Sequence, residues 1–473
     1  MRLLPLLTQL HTKSRSLHLP AHGRGLALPK DLIALLKKKP GLWDLPELNE
    51  IGGPTEKNGI IAESQSFVAN AMGVKNAWYG VNGATGLLQV GLLSMTKPGG
   101  KVLMPRNTHK SLIHACVLGN LSPVLFDIPF LPDRGHYSPP DLNWLEQVLE
   151  QLTKDDIQID AAVLIHPTYH GYAKDLNPLV KLLQKKGVPV LVDEAHGSYL
   201  AGNIDNDLPA SSLGSGADLV VHSLHKSACG LNQTAVLWLQ GNKINPNQIE
   251  KNLECLQTTS PSALLMASCD SAIRELLSAK ALKNLQQRLY EARIIYSQLI
   301  ERGVPLLTTQ DPLRLILHTA PHGINGLIAD GWFIEHGLVA ELPEPGCITF
   351  CLGMVRHKGL SNFISRKWFQ LLDSVGPTNP LGPFECPPNG LLTIPSISPT
   401  KAWFSKKQKV KLKEAIGRIS AELICPYPPG IPLVIPGMYL DMNLVHWLLK
   451  QRLFWSNQIS DEISVVCREE TLI

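Results

Sequence analysis

The sequence predicts an α/β fold in which helices cover both faces of a mostly parallel sheet. Between residues 60 and 240, short apolar runs alternate with longer amphipathic stretches, the pattern of strand–helix–strand units. Several apolar runs, such as AAVLI and PVLVD, are continuous rather than alternating, as expected for strands that are covered on both faces. The chain has 473 residues, of which 44% are hydrophobic, so it can build a large core and is not disordered as a whole.

The individual elements follow from these runs. Seven segments are predicted as strands of one sheet: 77–81, 101–105, 123–128, 160–166, 188–193, 219–223 and 235–239. Helical periodicity fills the intervals at about 61–73, 84–95, 109–118, 141–152 and 175–186, and continues from about 246 to 300. Beyond residue 300, Pro and Gly accumulate at 377–399 and 426–436, with one helix predicted between them at 405–423. We therefore predict a large domain over 1–300 and a smaller α+β domain over 301–473.

Composition limits the partners and the compartment. The formal net charge is only +4, which does not indicate the concentrated basic face of a nucleic-acid-binding protein. No apolar run approaches the ~20 residues needed to cross a bilayer, so no membrane association is expected. The nine cysteines are scattered without a CxxC pair, and the N-terminal apolar run is too short for a secretory signal. We expect reduced thiols in a cytoplasmic protein.

The strongest local signal is a lysine that closely follows a buried strand. Lys226 ends the run SLHK, which begins at the last residue of the apolar segment DLVVHS. In open α/β sheets, ligands bind outside the carboxyl ends of the strands, so this lysine lies where chemistry is expected. A partly desolvated lysine has a lowered pKa, which suits a nucleophile that forms a Schiff base. The alternative is a surface lysine at the start of a helix.

A carboxylate gives the second signal. Asp193 ends the strand candidate PVLVD and is followed by Glu194, Ala195 and His196. At this position a carboxylate can hydrogen-bond a pyridinium nitrogen and keep it protonated. Metal binding by Asp193, Glu194 and His196 is the alternative, but neighbouring residues at the end of an extended strand point in different directions. We therefore expect no metal ion.

Two further motifs follow other predicted strands. The glycine-rich turn GVNGATG contains Gly83, Ala84 and Thr85, and its backbone N–H groups would suit a phosphate at a helix N-terminus. It matches neither a Walker loop nor a dinucleotide fingerprint. His109, in the run NTHKS, either stacks on a flat cofactor or is structural. A lysine, an aspartate, a phosphate-binding turn and a histidine at the strand ends of one sheet together suit pyridoxal 5'-phosphate.

The order of these motifs resembles the Orn/Lys/Arg decarboxylases of the fold-type-I pyridoxal-phosphate class, in particular their short, arginine-decarboxylase-like bacterial branch. The similarity covers nearly the whole chain: HLPAHG, GVNGATG, NTHKS, DEAHG and SLHK, then QTTSPS, GRISAE and PYPPGIPLVIPG. It implies a fold-type-I transferase-like fold, with a seven-stranded sheet and a C-terminal domain of the Orn/Lys/Arg decarboxylase type.

The resemblance also implies residue roles. Lys226 would form the internal aldimine, Asp193 would pair with the pyridine nitrogen, and His109 and Ala195 would lie on the two faces of the ring. His196 would be close enough to the aldimine to meet the substrate carboxylate or the cofactor's phenolic oxygen. The implied phosphate-binding residues are Gly83, Ala84, Thr85, Ser223 and His225.

Two positions differ from the residues common in that family. Ala263 stands where an aromatic residue is common, and Met438 stands where a glutamate is common. A glutamate there could help to bind a cationic substrate, so the identity of the substrate is left open by the sequence.

The implied reaction is decarboxylation of a basic amino acid that feeds polyamine synthesis, with arginine to agmatine favoured over lysine or ornithine. Alternatives are transamination, aldol-type cleavage, or a cofactor-binding regulatory protein without activity. Fold-type-I enzymes share active sites across a two-fold axis, which implies a homodimer or a higher homo-oligomer. We predict that Thr259 and Ser260 reach the cofactor across this interface. The alternative is a helix start with Ser260 as the cap and Pro261 at the first helical position.

Overall fold

The computed structural model describes residues 14–39, 41–46, 48–427, 430–455 and 458–468. The N-terminal apolar run that was judged too short for a secretory signal lies outside these residues. Across the described ranges, every helix is too short or too polar to span a membrane. All nine cysteines fall within the ranges, and each is a free thiol.

The chain alternates helices and strands in its first part. The described α-helices are α1 (Lys30–Leu36), α2 (Ile60–Ala71), α3 (Gly83–Met95), α4 (Lys110–Gly119), α5 (Leu142–Lys154), α6 (Asn177–Lys185), α7 (Leu224–Ser227), α8 (Pro246–Leu256), α9 (Ala263–Leu277), α10 (Ala279–Glu301), α11 (Gly326–Glu335), α12 (Leu360–Val375), α13 (Pro399–Phe404) and α14 (Met442–Phe454).

The described strands are β1 (Arg15–Ser16), β2 (Asn76–Gly80), β3 (Lys101–Pro105), β4 (Ser122–Phe126), β5 (Phe130–Leu131), β6 (His136–Tyr137), β7 (Ala161–Ile165), β8 (Val190–Asp193), β9 (Leu219–Ser223), β10 (Ala235–Leu239), β11 (Leu306–Leu307), β12 (Arg314–His318), β13 (Leu338–Val339), β14 (Leu342–Glu344), β15 (Cys347–Cys351), β16 (Leu392–Thr393), β17 (Lys407–Lys411), β18 (Arg418–Ile419), β19 (Tyr439–Leu440) and β20 (Glu462–Val466).

The central sheet has eight strands in the order β16-β4-β3-β7-β8-β9-β10-β2. Strands β4, β3, β7, β8 and β9 are parallel, whereas β10 is antiparallel to both of its neighbours. All seven predicted strands are present, but the predicted strand number is wrong, because β16 pairs with β4 as an eighth strand. β16 is only two residues long and lies in a Pro-rich stretch, so it carries no apolar run that could reveal it.

Helices pack on both faces of this sheet, as predicted. Successive residues of β3 face opposite sides: Leu103 belongs to one hydrophobic core and Met104 to the other. The first core contains α2, α5, α6, α9 and α10. The second contains α3, α4 and α8, and α14 from the C-terminal part packs there as well. Burial on both sides accounts for the continuous apolar strands in the sequence.

The C-terminal part contains a four-stranded antiparallel sheet in the order β11-β12-β15-β14. The helix predicted at 405–423 is wrong. That segment forms β17, a short 3₁₀ turn (Leu412–Ala415) and β18, and β17 pairs with β20. The physical reason is a period of two: Lys409 and Lys411 are exposed, whereas Val410 and Leu412 are buried.

Candidate active site

The register of the central sheet brings the predicted motifs to one edge. Ser223 on β9 pairs with Ala235 on β10, which in turn pairs with Gly80 on β2. Asp193 on β8 pairs with Val221 on β9. The turn after β2, the end of β8 and the segment after β9 therefore lie side by side, at the edge where α/β sheets bind ligands.

Lys226 lies in the one-turn helix α7 and is half-buried. Its Nζ is 3.2 Å from Nε2 of His196. Burial lowers the pKa of Lys226 and outweighs the opposite effects of Asp193 and Glu341, while Arg314 lowers it further. A lowered pKa increases the share of the unprotonated amine, which is the nucleophilic form.

The contacts of His196 fix the position of its proton. Its Nδ1 is 3.1 Å from the guanidinium NH2 of Arg314. A guanidinium can only donate, so Nδ1 accepts and the proton of the neutral ring is on Nε2. Nε2–H can then donate to Lys226 only if Nζ is unprotonated, in agreement with the lowered pKa of the lysine. Burial, followed by the charges of Lys226 and Arg314, holds the pKa of His196 well below its usual value.

Asp193 ends β8 and is buried. Its Oδ1 accepts a hydrogen bond from the N–H of Ala195 at 3.1 Å. Burial raises the pKa of Asp193, and both the charge of Lys226 and the N–H of Ala195 oppose this rise. A cation bound against this carboxylate would replace the lost hydration, which is what a protonated pyridine nitrogen provides.

Glu194 does not join Asp193 and His196 in a metal site. Its fully buried carboxylate accepts hydrogen bonds from Ser212 N–H at 2.9 Å, from Ser211 Oγ at 3.1 Å and from Ser212 Oγ at 2.5 Å. His222 Nε2 lies 2.7 Å from the same carboxylate. These contacts direct Glu194 away from its two neighbours, as the geometry of an extended strand end predicts.

The phosphate-binding candidates lie at an uncapped helix end. No side chain caps the N-terminus of α3 at Asn82. The N–H of Gly83 donates to Gln233 O at 2.8 Å, which leaves the N–H groups of Ala84 and Thr85 as the unsatisfied donors of the first turn. Gly83 has φ +66°, and no heavy atom lies within 4 Å of where its Cβ would be. This end of the helix is open to an anion.

The other predicted cofactor residues lie close to Lys226 or to Asp193. His109 caps α4, with its Nδ1 3.2 Å from Ser111 N–H. Burial, followed by the charge of Lys226, lowers the pKa of His109 to about 3. Ser223 Oγ is 3.2 Å from Nδ1 of His225, and Ala195 is buried beside Asp193.

Thr259 and Ser260, which are predicted to reach the cofactor of a second chain, are exposed, unlike the residues above. They lie between α8 and α9, and Ser260 N–H donates only to Thr258 Oγ1, at 3.2 Å. The alternative of a helix capped by Ser260 is wrong, because α9 begins at Ala263 with Ser262 as its cap.

Met438, which stands where a glutamate is common in the family that the sequence resembles, is buried. It is 3% exposed in a hydrophobic core, and its sulfur accepts a hydrogen bond from Ile435 N–H at 3.3 Å.

Sequence reasoning missed two residues that contact His196, one on a later strand and one in the loop after β7. Arg314 begins β12 and is buried; besides His196 it contacts Cys351 Sγ at 2.8 Å. The ring of Tyr169 meets His196 edge-on, with centroids 5.2 Å apart. A buried arginine is unusual, so the run RLILH offered a signal for Arg314, whereas nothing in the sequence distinguished Tyr169.

Several known proteins are similar to this chain in sequence or in fold. The chain is 29% identical to an arginine decarboxylase of Halalkalibacterium halodurans over 450 residues, which cover 91% of this chain and 89% of that protein. It is 22% identical to an inducible lysine decarboxylase of Escherichia coli, over 82% of this chain and 67% of that protein. The solved structure of lysine decarboxylase A from Pseudomonas aeruginosa superposes with a TM-score of 0.75 at 17% identity, over 94% of this chain and 81% of that chain.

Family models match two regions. The model described as "Orn/Lys/Arg decarboxylase, major domain" matches residues 6–315, and the model of the C-terminal domain of the same family matches residues 393–455. These matches confirm the predicted fold-type-I class, the pyridoxal-phosphate cofactor and the enzyme class of amino-acid decarboxylases. The chain belongs to the Orn/Lys/Arg decarboxylase family.

Proposed function

We propose that this protein decarboxylates arginine to agmatine. The observation that carries the proposal is the chain of contacts from Lys226 through His196 to Arg314, next to the buried carboxylate of Asp193. Decarboxylation of a basic amino acid follows from the family. Arginine is favoured over lysine because the relatives named arginine decarboxylase are 27–29% identical, whereas the lysine decarboxylases are 20–22% identical.

Pyridoxal phosphate, when bound, supplies the electron sink for the electron pair that remains when CO₂ leaves. Lys226 would bind its carbonyl carbon, and Asp193 would hold the proton on its pyridine nitrogen. The open N-terminus of α3, with Ser223 and His225, would receive the phosphate. His109 and Ala195 would lie on either face of the ring.

His196 would position a proton beside the nitrogen of Lys226. Arg314 holds Nδ1 as an acceptor, so the proton stays on Nε2, on the side of Lys226. A proton donor held at Nε2 can transfer its proton to a neighbouring group that gains electron density during the reaction, and can take the proton back afterwards. Because its pKa is held low, His196 remains neutral near pH 7 and keeps this orientation.

We further propose a homodimer that shares its active sites, and we keep the division at residue 300 as the proposed domain boundary. The exposure of Thr259 and Ser260 supports the shared active sites, since neither residue contacts Lys226 of its own chain in the described structure. A cytoplasmic location is supported by the nine free thiols. A role in polyamine synthesis would follow from agmatine as the product.

The test is to supply arginine, lysine and ornithine, each labelled in the carboxyl group, and to measure CO₂ release and the amine product by mass spectrometry. We expect CO₂ and agmatine from arginine at the highest kcat/KM, and no release from the Lys226→Ala variant. A higher kcat/KM for lysine or ornithine would contradict the substrate. Formation of a keto acid without CO₂ would contradict decarboxylation itself.

A further inference from the structure

A second cluster of polar side chains involves none of the residues around Lys226. His136 lies on β6, His170 follows β7, and Glu344 ends β14 of the C-terminal sheet. All three are buried. His170 Nε2 is 2.6 Å from Glu344 Oε2, and His136 Nε2 is 3.2 Å from the same oxygen. Three segments that are far apart in the sequence therefore bring one potential ligand atom each to within 4.8 Å of the others.

Hydrogen bonding does not satisfy this cluster. The two imidazole rings are stacked, with centroids 3.6 Å apart and planes inclined by 16°, so both rings approach one carboxylate oxygen from the same direction. The contact from His136 is poorly aligned, and its Nε2 has no hydrogen-bond partner. An unpartnered ring nitrogen on a fully buried side chain is costly, so the arrangement calls for a ligand.

We propose that His136, His170 and Glu344 bind a divalent transition-metal ion, with Zn²⁺ as the best match. Two imidazole nitrogens and a carboxylate oxygen form a ligand set that zinc takes in proteins. Bond lengths of about 2.0–2.2 Å in a tetrahedral site place the ligand atoms roughly 3.3–3.5 Å apart. The His136–Glu344 separation of 3.2 Å is close to this range. On ion binding, the His170–Glu344 separation must open from 2.6 Å, and the two stacked rings must turn apart, because a metal ion lies in the plane of each imidazole that binds it. Mg²⁺ and Ca²⁺ prefer oxygen ligands alone.

The surroundings of the three side chains provide space for a fourth ligand and a hydrogen-bond partner for one of the histidines. A cavity of about 80 Å³ borders the three side chains, with Phe384 and Trp447 in its wall, and it has room for a water molecule as the fourth ligand. The hydroxyl of Tyr172 lies 3.3 Å from His136 Nδ1. A histidine that binds metal through Nε2 donates its other N–H to a polar partner, and this hydroxyl can accept it.

The ion would tie the C-terminal sheet to two loops of the central sheet. One of these loops carries Tyr169, the residue before His170, whose ring contacts His196. The proposed ion would therefore hold in place the loop whose Tyr169 contacts His196. The chain uses its own side chains for three of the four positions, and no substrate atom is required.

The experiment uses full-length holoenzyme that has been stripped of metal with a chelator and freed of unbound cofactor. Zinc sulfate is added, and binding is measured by competition with a chromophoric chelator. We expect one zinc ion per chain. X-ray absorption at the zinc edge should show nitrogen and oxygen ligands without sulfur, which separates the site from the nine free thiols.

The variants His170→Gln and Glu344→Gln should each weaken zinc binding by at least tenfold. The matched control is His336→Gln, which removes an exposed histidine stacked on Trp332 and should bind as the native protein does. Absence of stoichiometric binding to the native holoenzyme, or sulfur ligands in its absorption spectrum, would overturn the proposal. Both readouts use the native chain, so a variant that fails to fold does not decide the matter.

Discussion

Replacing His196 with phenylalanine removes both ring nitrogens and retains an aromatic ring beside Tyr169. In the native protein, Nδ1 accepts a hydrogen bond from Arg314 at 3.1 Å and Nε2 lies 3.2 Å from Lys226 Nζ. The substitution therefore deletes the proton donor next to the reacting nitrogen, while the edge contact with Tyr169 is kept. We expect the loss to appear in kcat.

The magnitude follows from the proton transfer that is lost. Proton transfer by a positioned side chain contributes roughly 10²- to 10⁴-fold to the rate. Since each ~1.4 kcal/mol of barrier is a factor of ten in rate, the lower end of that range, ~2.8 kcal/mol, corresponds to a decrease of about 100-fold in kcat. KM should change little, because an interaction made only in the transition state leaves ground-state binding intact.

The assay measures CO₂ release from arginine over a range of pH, with the thermal midpoint as a check on folding. Since the pKa of His196 is held well below its usual value, the ring would gain a proton only at a pH far below 7. The variant should therefore be slower without a shift of the acid limb. His357→Phe, which changes a half-buried histidine bound to Leu352 O at 2.7 Å, should retain kcat. A His196→Phe variant with kcat within twofold of the native value would refute the reasoning.

Three further predictions concern the cofactor and the assembly. Lys226→Ala should abolish turnover, and borohydride reduction of the native holoenzyme should label this residue in peptide mapping; a label on another lysine would contradict the assignment. Asp193→Asn keeps the shape but removes the charge, and should lower kcat by about 10²- to 10³-fold, whereas near-native activity would place the electron-sink role elsewhere. Mixing Lys226→Ala chains with Thr259→Ala/Ser260→Ala chains should restore part of the activity in mixed dimers; mixed dimers without activity would rule out a shared site.

The central sheet could be predicted because its strands are continuous apolar runs. β3, β9 and β10 have the predicted bounds, and the other four predicted strands differ by one or two residues at their ends. The C-terminal part was harder. β16 and β18 are two residues long, and their pairing depends on tertiary packing rather than on local pattern. In β17, spaced lysines resemble the polar face of a helix, and only the burial of Val410 and Leu412 distinguishes a strand.

The candidate site was predictable to the extent that it lies at strand ends. Lys226, Asp193 and the turn at Gly83 each follow a recognisable apolar run, and parallel strands carry such segments to one edge. Arg314 and Tyr169 contact His196 from segments whose positions depend on how the strands and loops pack in three dimensions. The roles of Thr259 and Ser260 stay predictions, because they concern a second chain.

The adjacent acids Asp193 and Glu194 show how the fold can position one carboxylate by holding its neighbour in hydrogen bonds. Trp238 Nε1–H donates to Nδ1 of His222 at 3.0 Å. An indole N–H can only donate, so the neutral imidazole carries its proton on Nε2 and donates it to Glu194 at 2.7 Å. Burial alone would raise the pKa of Glu194, but His222 and Ser212 outweigh it and hold the pKa below its usual value. The chain of donors runs from β10 through β9 to the end of β8. Because these hydrogen bonds fix Glu194, they also fix the backbone at Asp193 and His196, and this places both side chains beside Lys226.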